Sequence, residues 1–207
     1  MATSAPTAVN LRLPSKYSAT ASQDAFTSPP VDWLTGTWMV THSTLSMWRT
    51  ARNVRITYAP LPAPTSTNTR SSVLRIDDLV EYEASSGKGG VKNVTGIDTA
   101  SSPTDTGRFT WRGKGWLFFV TSKWEVLGWG ERDTPDGGRE KWAVTWFAPT
   151  LFTKEGVDIY SDRKEGGSKE LVEEIVQGLK QLDAPPLVDM VSKDMREVEI
   201  KLPWKDR

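Results

Sequence analysis

The chain has 207 residues, with 26 basic and 26 acidic side chains, so its formal charge is zero and no electrostatic footprint for nucleic acid or an anionic membrane shows. That length suits one domain with tails, and no window approaches the roughly 20 apolar residues of a membrane span. Cysteine is absent, which excludes disulfides, thiolate metal sites and a thiol nucleophile together; with no apolar export signal at the start, a cytoplasmic protein is expected.

Residues 1 to 30 are rich in Ala, Ser, Thr and Pro and read as a mobile arm that Pro29-Pro30 ends. Val31, Trp33 and Leu34 suit a short helical turn closing one end of a barrel. Gly36-Thr37-Trp38 opens a strand to about Thr44, in which Trp38, Val40 and His42 alternate with Thr37, Met39 and Thr41. By that parity His42 shares the inward face of Trp38. A second strand spans Asn53 to Leu61, and a Thr/Ser/Pro-rich loop follows from Pro62 to Ser72. The third strand, Leu74 to Glu83, places Asp78 beside Leu74, Ile76, Val80 and Tyr82 on one face. Val91 to Asp98 and Phe109 to Arg112 are the fourth and fifth strands.

Gly113-Lys114-Gly115 marks a hairpin turn. The sixth strand is expected over Trp116 to Leu127, with Trp116, Phe118, Val120, Ser122 and Trp124 on one face. Asp136-Gly137-Gly138 turns into a seventh strand, Lys141 to Ala148, with Trp142, Val144 and Trp146 together. Gly156 to Tyr160 is the eighth. Ser168 then caps a helix whose apolar positions Leu171, Val172, Ile175, Leu179 and Leu182 recur at helical spacing. A short helical piece near Leu187 to Met195 precedes Val198, Ile200 and Leu202, which alternate as a ninth strand would.

Aromatic residues make up 10% of the chain, ten of them tryptophans, and six of the ten fall between Trp111 and Trp146. Buried indoles each need an N–H partner, so a core built as filler would use Leu and Val instead. The crowd suits the wall of a cavity for a flat or polyene ligand.

Eight antiparallel strands opened by Gly36-x-Trp38 and followed by a helix and a ninth strand resemble the lipocalin, or calycin, layout over Asp32 to Leu202. The resemblance implies an all-β fold with a C-terminal helix: an eight- to nine-stranded antiparallel lipocalin-like β-barrel over 31–163, with 164–207 packed against it. It also implies that Arg163 packs across the Trp38 indole. The family's T-D-Y triplet between the sixth and seventh strands is absent; Glu131-Arg132-Asp133 stands nearby. The runs THSTLSMWRTARNVRITYAPL, DDLVEYE, RGKGWL, KWEVLGWG and TLFTKEGVDIYS are similar to small lipocalin-like proteins of fungi, some of which are cofactor-free cyclases, Diels–Alder enzymes among them, in secondary metabolism.

A single histidine rules out a His-rich zinc or iron site, and no phosphate-binding glycine loop or G-x-S-x-G elbow occurs. No cofactor and no metal is called for. His42 with Asp78 would form an acid–base pair, or each would be a satisfied core group. The expected ligand walls are Trp48, Tyr58, Tyr82, Trp111, Trp116, Phe118, Ser122, Trp124, Trp142 and Trp146. Glu125 and Lys123 read as an outward ion pair. The partner is then a small hydrophobic or aromatic molecule, with no nucleic acid and no membrane, and with monomer or homodimer left open. Two functions fit these parts: a cofactor-independent cyclase, or a carrier of a lipid, pigment or polyketide. A protein-interaction module using exposed Trp48 and Trp129 is a third.

Overall fold

A computed structural model describes residues 5–18, 26–62, 73–134 and 136–205. In chain order these form α1 (Val31–Leu34), β1 (Gly36–Ser43), β2 (Ala51–Pro60), β3 (Arg75–Ala84), β4 (Lys92–Ser102), β5 (Asp105–Gly113), β6 (Thr121–Asp133), β7 (Arg139–Phe147), β8 (Gly156–Ser161), α2 (Lys169–Lys180), α3 (Pro185–Asp194) and the short β9 (Arg196–Glu197). Each strand from β2 to β7 pairs antiparallel with its successor. β8 pairs with β1 and β1 with β2, so the eight strands close into a barrel; β9 adds to β1. Closure leaves no long edge to blunt, and each strand shows one face to the interior and one to the outside. Among the described residues, no helix is long and apolar enough to cross a membrane.

The outside of β7 and β8 is as apolar as the inside. Trp142, Val144 and Trp146 of β7 pack with Val157 and Ile159 of β8 against Leu171, Ile175 and Leu179 of α2 and Leu187 and Val191 of α3. Ser168 heads α2, but its amide and hydroxyl both donate to Glu140 of β7, which fixes the helix on this face. The interior holds a separate cluster that includes Trp38, Val40, Tyr58, Ile76, Phe109, Trp124 and Tyr160. Two tryptophans expected at the ligand, Trp142 and Trp146, therefore lie between barrel and helices. The period of two puts them on one face correctly. It cannot say which face, because both faces of β7 are buried.

One end of the barrel is solid. Trp33 from α1 packs on Trp38 (5.0 Å between ring centroids) and on Trp129 of β6 (4.7 Å). Each indole N–H is satisfied: Trp38 donates to the Leu34 carbonyl (2.8 Å), Trp33 to Glu131 (2.7 Å) and Trp129 to the Thr27 carbonyl (2.7 Å). Arg163 does not cover Trp38 as the resemblance implies; it pairs with Glu165 (2.7 Å) and Asp136 (3.4 Å).

Part of the leader is anchored. The β6–β7 register slips between Val126 and Gly128. The Leu127 carbonyl accepts from the Arg12 amide (2.8 Å), the Val126 carbonyl from Arg12 Nε (2.8 Å), and the Pro6 carbonyl from the Glu131 amide (2.9 Å). Leu11 fills the space at Gly128, where a Cβ would stand 2.4 Å from its Cδ2. Glu125 faces outward but is buried, and it pairs not with Lys123 but with Arg12 (3.4 Å) and the Ser15 amide (3.0 Å) of the leader and with Arg108 of β5 (3.4 Å). Residues 1–4 and 19–25 of the expected arm, and 63–72 of the expected loop after β2, lie outside the described residues.

Candidate functional site

The other end of the barrel is hollow. A cavity of about 390 Å³ opens there, within the roughly 300–1,000 Å³ usual for small-molecule sites. Strand register builds its wall. Ile56, Val80 and Val94 stand side by side on β2, β3 and β4; one step deeper stand Tyr58, Asp78 and Gly96; deeper still, Ile76, Asp98 and Trp111. Gly96 is what lets Trp111 turn back toward the opening. A Cβ there would lie 2.0 Å from the indole Nε1, so the ring rests on bare backbone with its Nε1 near Asp78. Trp124 forms the floor, stacked between Phe109 (4.6 Å) and Tyr58 (5.7 Å).

Three carboxyls sit in this apolar interior. Asp98 is fully buried; its Oδ1 accepts from Trp124 Nε1 (2.7 Å), while its Oδ2 has no partner among the described residues. Asp78 is buried with its Oδ1 likewise unpartnered. Burial first, and then the Asp98 and Asp77 charges, push the Asp78 carboxyl well above the usual range. Burial pushes Asp98 up to about 7. Across the cavity, Asp158 of β8 accepts from Ser43 Oγ and faces Trp48; burial raises it to about 7 as well. That upward shift favours the neutral form of Asp78, and in that form the carboxyl can donate a hydrogen bond to a carbonyl or phenolate oxygen within a low-dielectric pocket. The hydroxyls of Tyr58 and Tyr160 are held neutral by burial.

Seven of the residues expected at the ligand line the cavity: Asp78, Trp48, Tyr58, Trp111, Trp116, Ser122 and Trp124. Tyr82 stands behind Trp48, edge-on at 5.4 Å. Phe118 projects from the rim, because a 3₁₀ turn at Gly115–Leu117 replaces the expected first residues of the sixth strand. His42 is not at the cavity. The β1–β8 register shifts between Val40 and His42, so Val40 opposes Tyr160 inside while His42 opposes Ile159 of the outer cluster. The bulge reverses the parity from which an inward His42 follows. It stands opposite Glu197 of β9 in the strand register, and burial lowers its pKa. Trp48 and Trp129 are both buried, so neither offers the exposed surface an interaction module would use.

Sequence reasoning missed Asp98 and Asp158. Asp98 lies at the expected end of the fourth strand, although the alternation Val94, Gly96, Asp98 continues the inner face. In Val157-Asp158-Ile159-Tyr160 the apolar pair looks inward by the usual rule; here Val157 and Ile159 face the helices, and Asp158 and Tyr160 face the interior.

No protein-family model matches the chain, and no curated protein matches it. Among solved structures, the chain is similar to lobster apocrustacyanin A1 at 9% identity, over 81% of this chain and 77% of that one, with a TM-score of 0.48. Apocrustacyanin C1 is 10% identical over 82% and 78% (TM-score 0.49), and apocrustacyanin C2 10% identical over 81% and 78% (TM-score 0.49).

Proposed function

We propose that the barrel binds a flat, largely apolar small molecule carrying a hydrogen-bond acceptor, and that it closes a ring in that molecule without a cofactor. The single observation behind this reading is Asp78, a buried carboxyl with an unpartnered oxygen in the wall of an otherwise apolar, indole-lined cavity. Ring closure asks little covalent chemistry of a protein. Holding a flexible chain in a near-attack shape is worth up to roughly 7–11 kcal/mol in favourable intramolecular cases. Trp111, Trp124 and Tyr58 supply flat walls for such a mould, and neutral Asp78 supplies a donor that polarises a conjugated carbonyl. His42 has no part in it.

The test is turnover of a linear trienone able to close a ring on itself. The wild type is expected to accelerate closure over buffer, and Asp78→Leu, of similar size but with no donor, to lose about 10²-fold or more of that acceleration, the usual cost of one preorganised donor. Trp fluorescence should still report binding by the variant. A second reading, a carrier, draws on the same apolar walls. It predicts that the trienone quenches Trp fluorescence and is recovered unchanged after long incubation with the wild type.

A further inference from the structure

The open end of the barrel has a surface unlike the rest of the molecule. Among the described residues seven large apolar side chains are exposed, and six of them stand here: Met47, Trp116, Phe118, Phe119, Leu151 and Phe152. They come from three loops around the cavity mouth. Leu151 is 85% exposed, Trp116 73% and Phe118 67%, and a soluble surface seldom gathers such residues in one place. Phe118 and Phe119 touch edge-on at 5.6 Å, and Trp116, Met47 and Phe152 continue the patch into the cavity wall.

The charge at this end is also one-sided. The four connections that meet here, residues 44–50, 85–91, 114–120 and 148–155, contain Arg49, Lys88, Lys114 and Lys154 and a single carboxylate, Glu155. Glu155 is taken up by Lys16, Tyr17 and Trp146, and Lys114 meets Asp77 of β3. Neutrality of the whole chain, which argues against an anionic membrane, conceals this local excess.

We infer that this end docks on a lipid bilayer bearing anionic headgroups, with Trp116, Phe118, Phe119, Leu151 and Phe152 entering the interface and the loop cations meeting the headgroups. Aromatic and aliphatic tips ringed by Lys and Arg are the chemistry that such an interface takes. A second copy of the chain fits less well. A two-fold interface would set the same cations against one another. The inference rests on the cavity reading in one respect: a docked mouth would open onto the phase in which an apolar ligand is dissolved.

Co-flotation with vesicles tests it. The protein is expected to float with vesicles of equal parts phosphatidylcholine and phosphatidylserine, about tenfold more than with phosphatidylcholine alone, and to be released by high salt. The triple variant Phe118→Ser, Phe119→Ser, Leu151→Ser should stay in solution while binding Nile red without vesicles as the wild type does. Lys88→Glu with Lys154→Glu should lose the phosphatidylserine preference. Failure of the wild type to float, equal flotation with both vesicles, or undiminished flotation of the triple variant would overturn the inference. So would a dimer in sedimentation that the triple variant dissolves. Because Nile red uptake is read in solution, loss of docking and loss of the cavity are separable.

Discussion

Replacing Asp158 by Asn removes one buried acid from the cavity wall and keeps its shape, and the new amide carbonyl can still accept from Ser43 Oγ. In the folded protein burial moves the Asp158 carboxyl from 3.8 to about 7. A raised acid binds more protons folded than unfolded between those two values. Stability from this group is therefore fully present below about pH 4 and is lost as pH rises to about 7. The displacement corresponds to a ceiling of about 4 kcal/mol. An amide at this position cannot titrate, so the stability difference between Asp158→Asn and wild type should move in favour of the variant by up to that amount between acid and mildly alkaline pH. Asp98 titrates in the same window and should leave part of the wild-type slope in both proteins. Urea unfolding followed by Trp fluorescence across that pH range measures the difference. A difference that stays constant with pH would show that Asp158 titrates as a solvated carboxylate and that the cavity does not hold its acids protonated.

Other positions test other parts of the structure. Gly96→Ala should drive Trp111 off the backbone, at a cost of about 1–3 kcal/mol in stability and with weaker probe binding, read by denaturation and fluorescence titration. Trp129→Ala should cost about 3–5 kcal/mol by opening the plug at the solid end, yet leave probe affinity near that of wild type. His42→Ala should leave Nile red affinity and trienone turnover within about twofold of wild type, since differences that small lie within about 0.5 kcal/mol; a loss of about tenfold in either would return His42 to the site.

Strand existence was legible because each strand alternates and most are bounded by Gly, Pro or Asp turn residues. The stripe Leu171, Val172, Ile175 and Leu179 of α2 was equally plain, since that helix has only one face to bury. What parity could not supply was the inside of the barrel where helices cover the outside. Trp142 and Trp146 satisfy every rule for an inward row and are buried, but beneath α2. A single bulge did the same to His42: one extra residue, Thr41, turns the side chains beyond it to the opposite face. The site's acids were hidden for a related reason. Asp158 is polar between two apolar neighbours, so a one-sided reading sends it to solvent, whereas β8 buries both its faces. The ten indoles divide by place: Trp33, Trp38 and Trp129 plug one end, Trp48, Trp111, Trp116 and Trp124 line the cavity, and Trp142 and Trp146 hold the helices. Trp204 lies over Arg55.

The most direct measurement is a Nile red titration of the wild type beside Val80→Trp, which puts an indole into the middle of the cavity from β3. A hollow interior predicts saturable one-to-one binding with quenching of Trp fluorescence, and loss of both in the filled variant while the fold persists. Equal binding by the two proteins, or none by either, would contradict it.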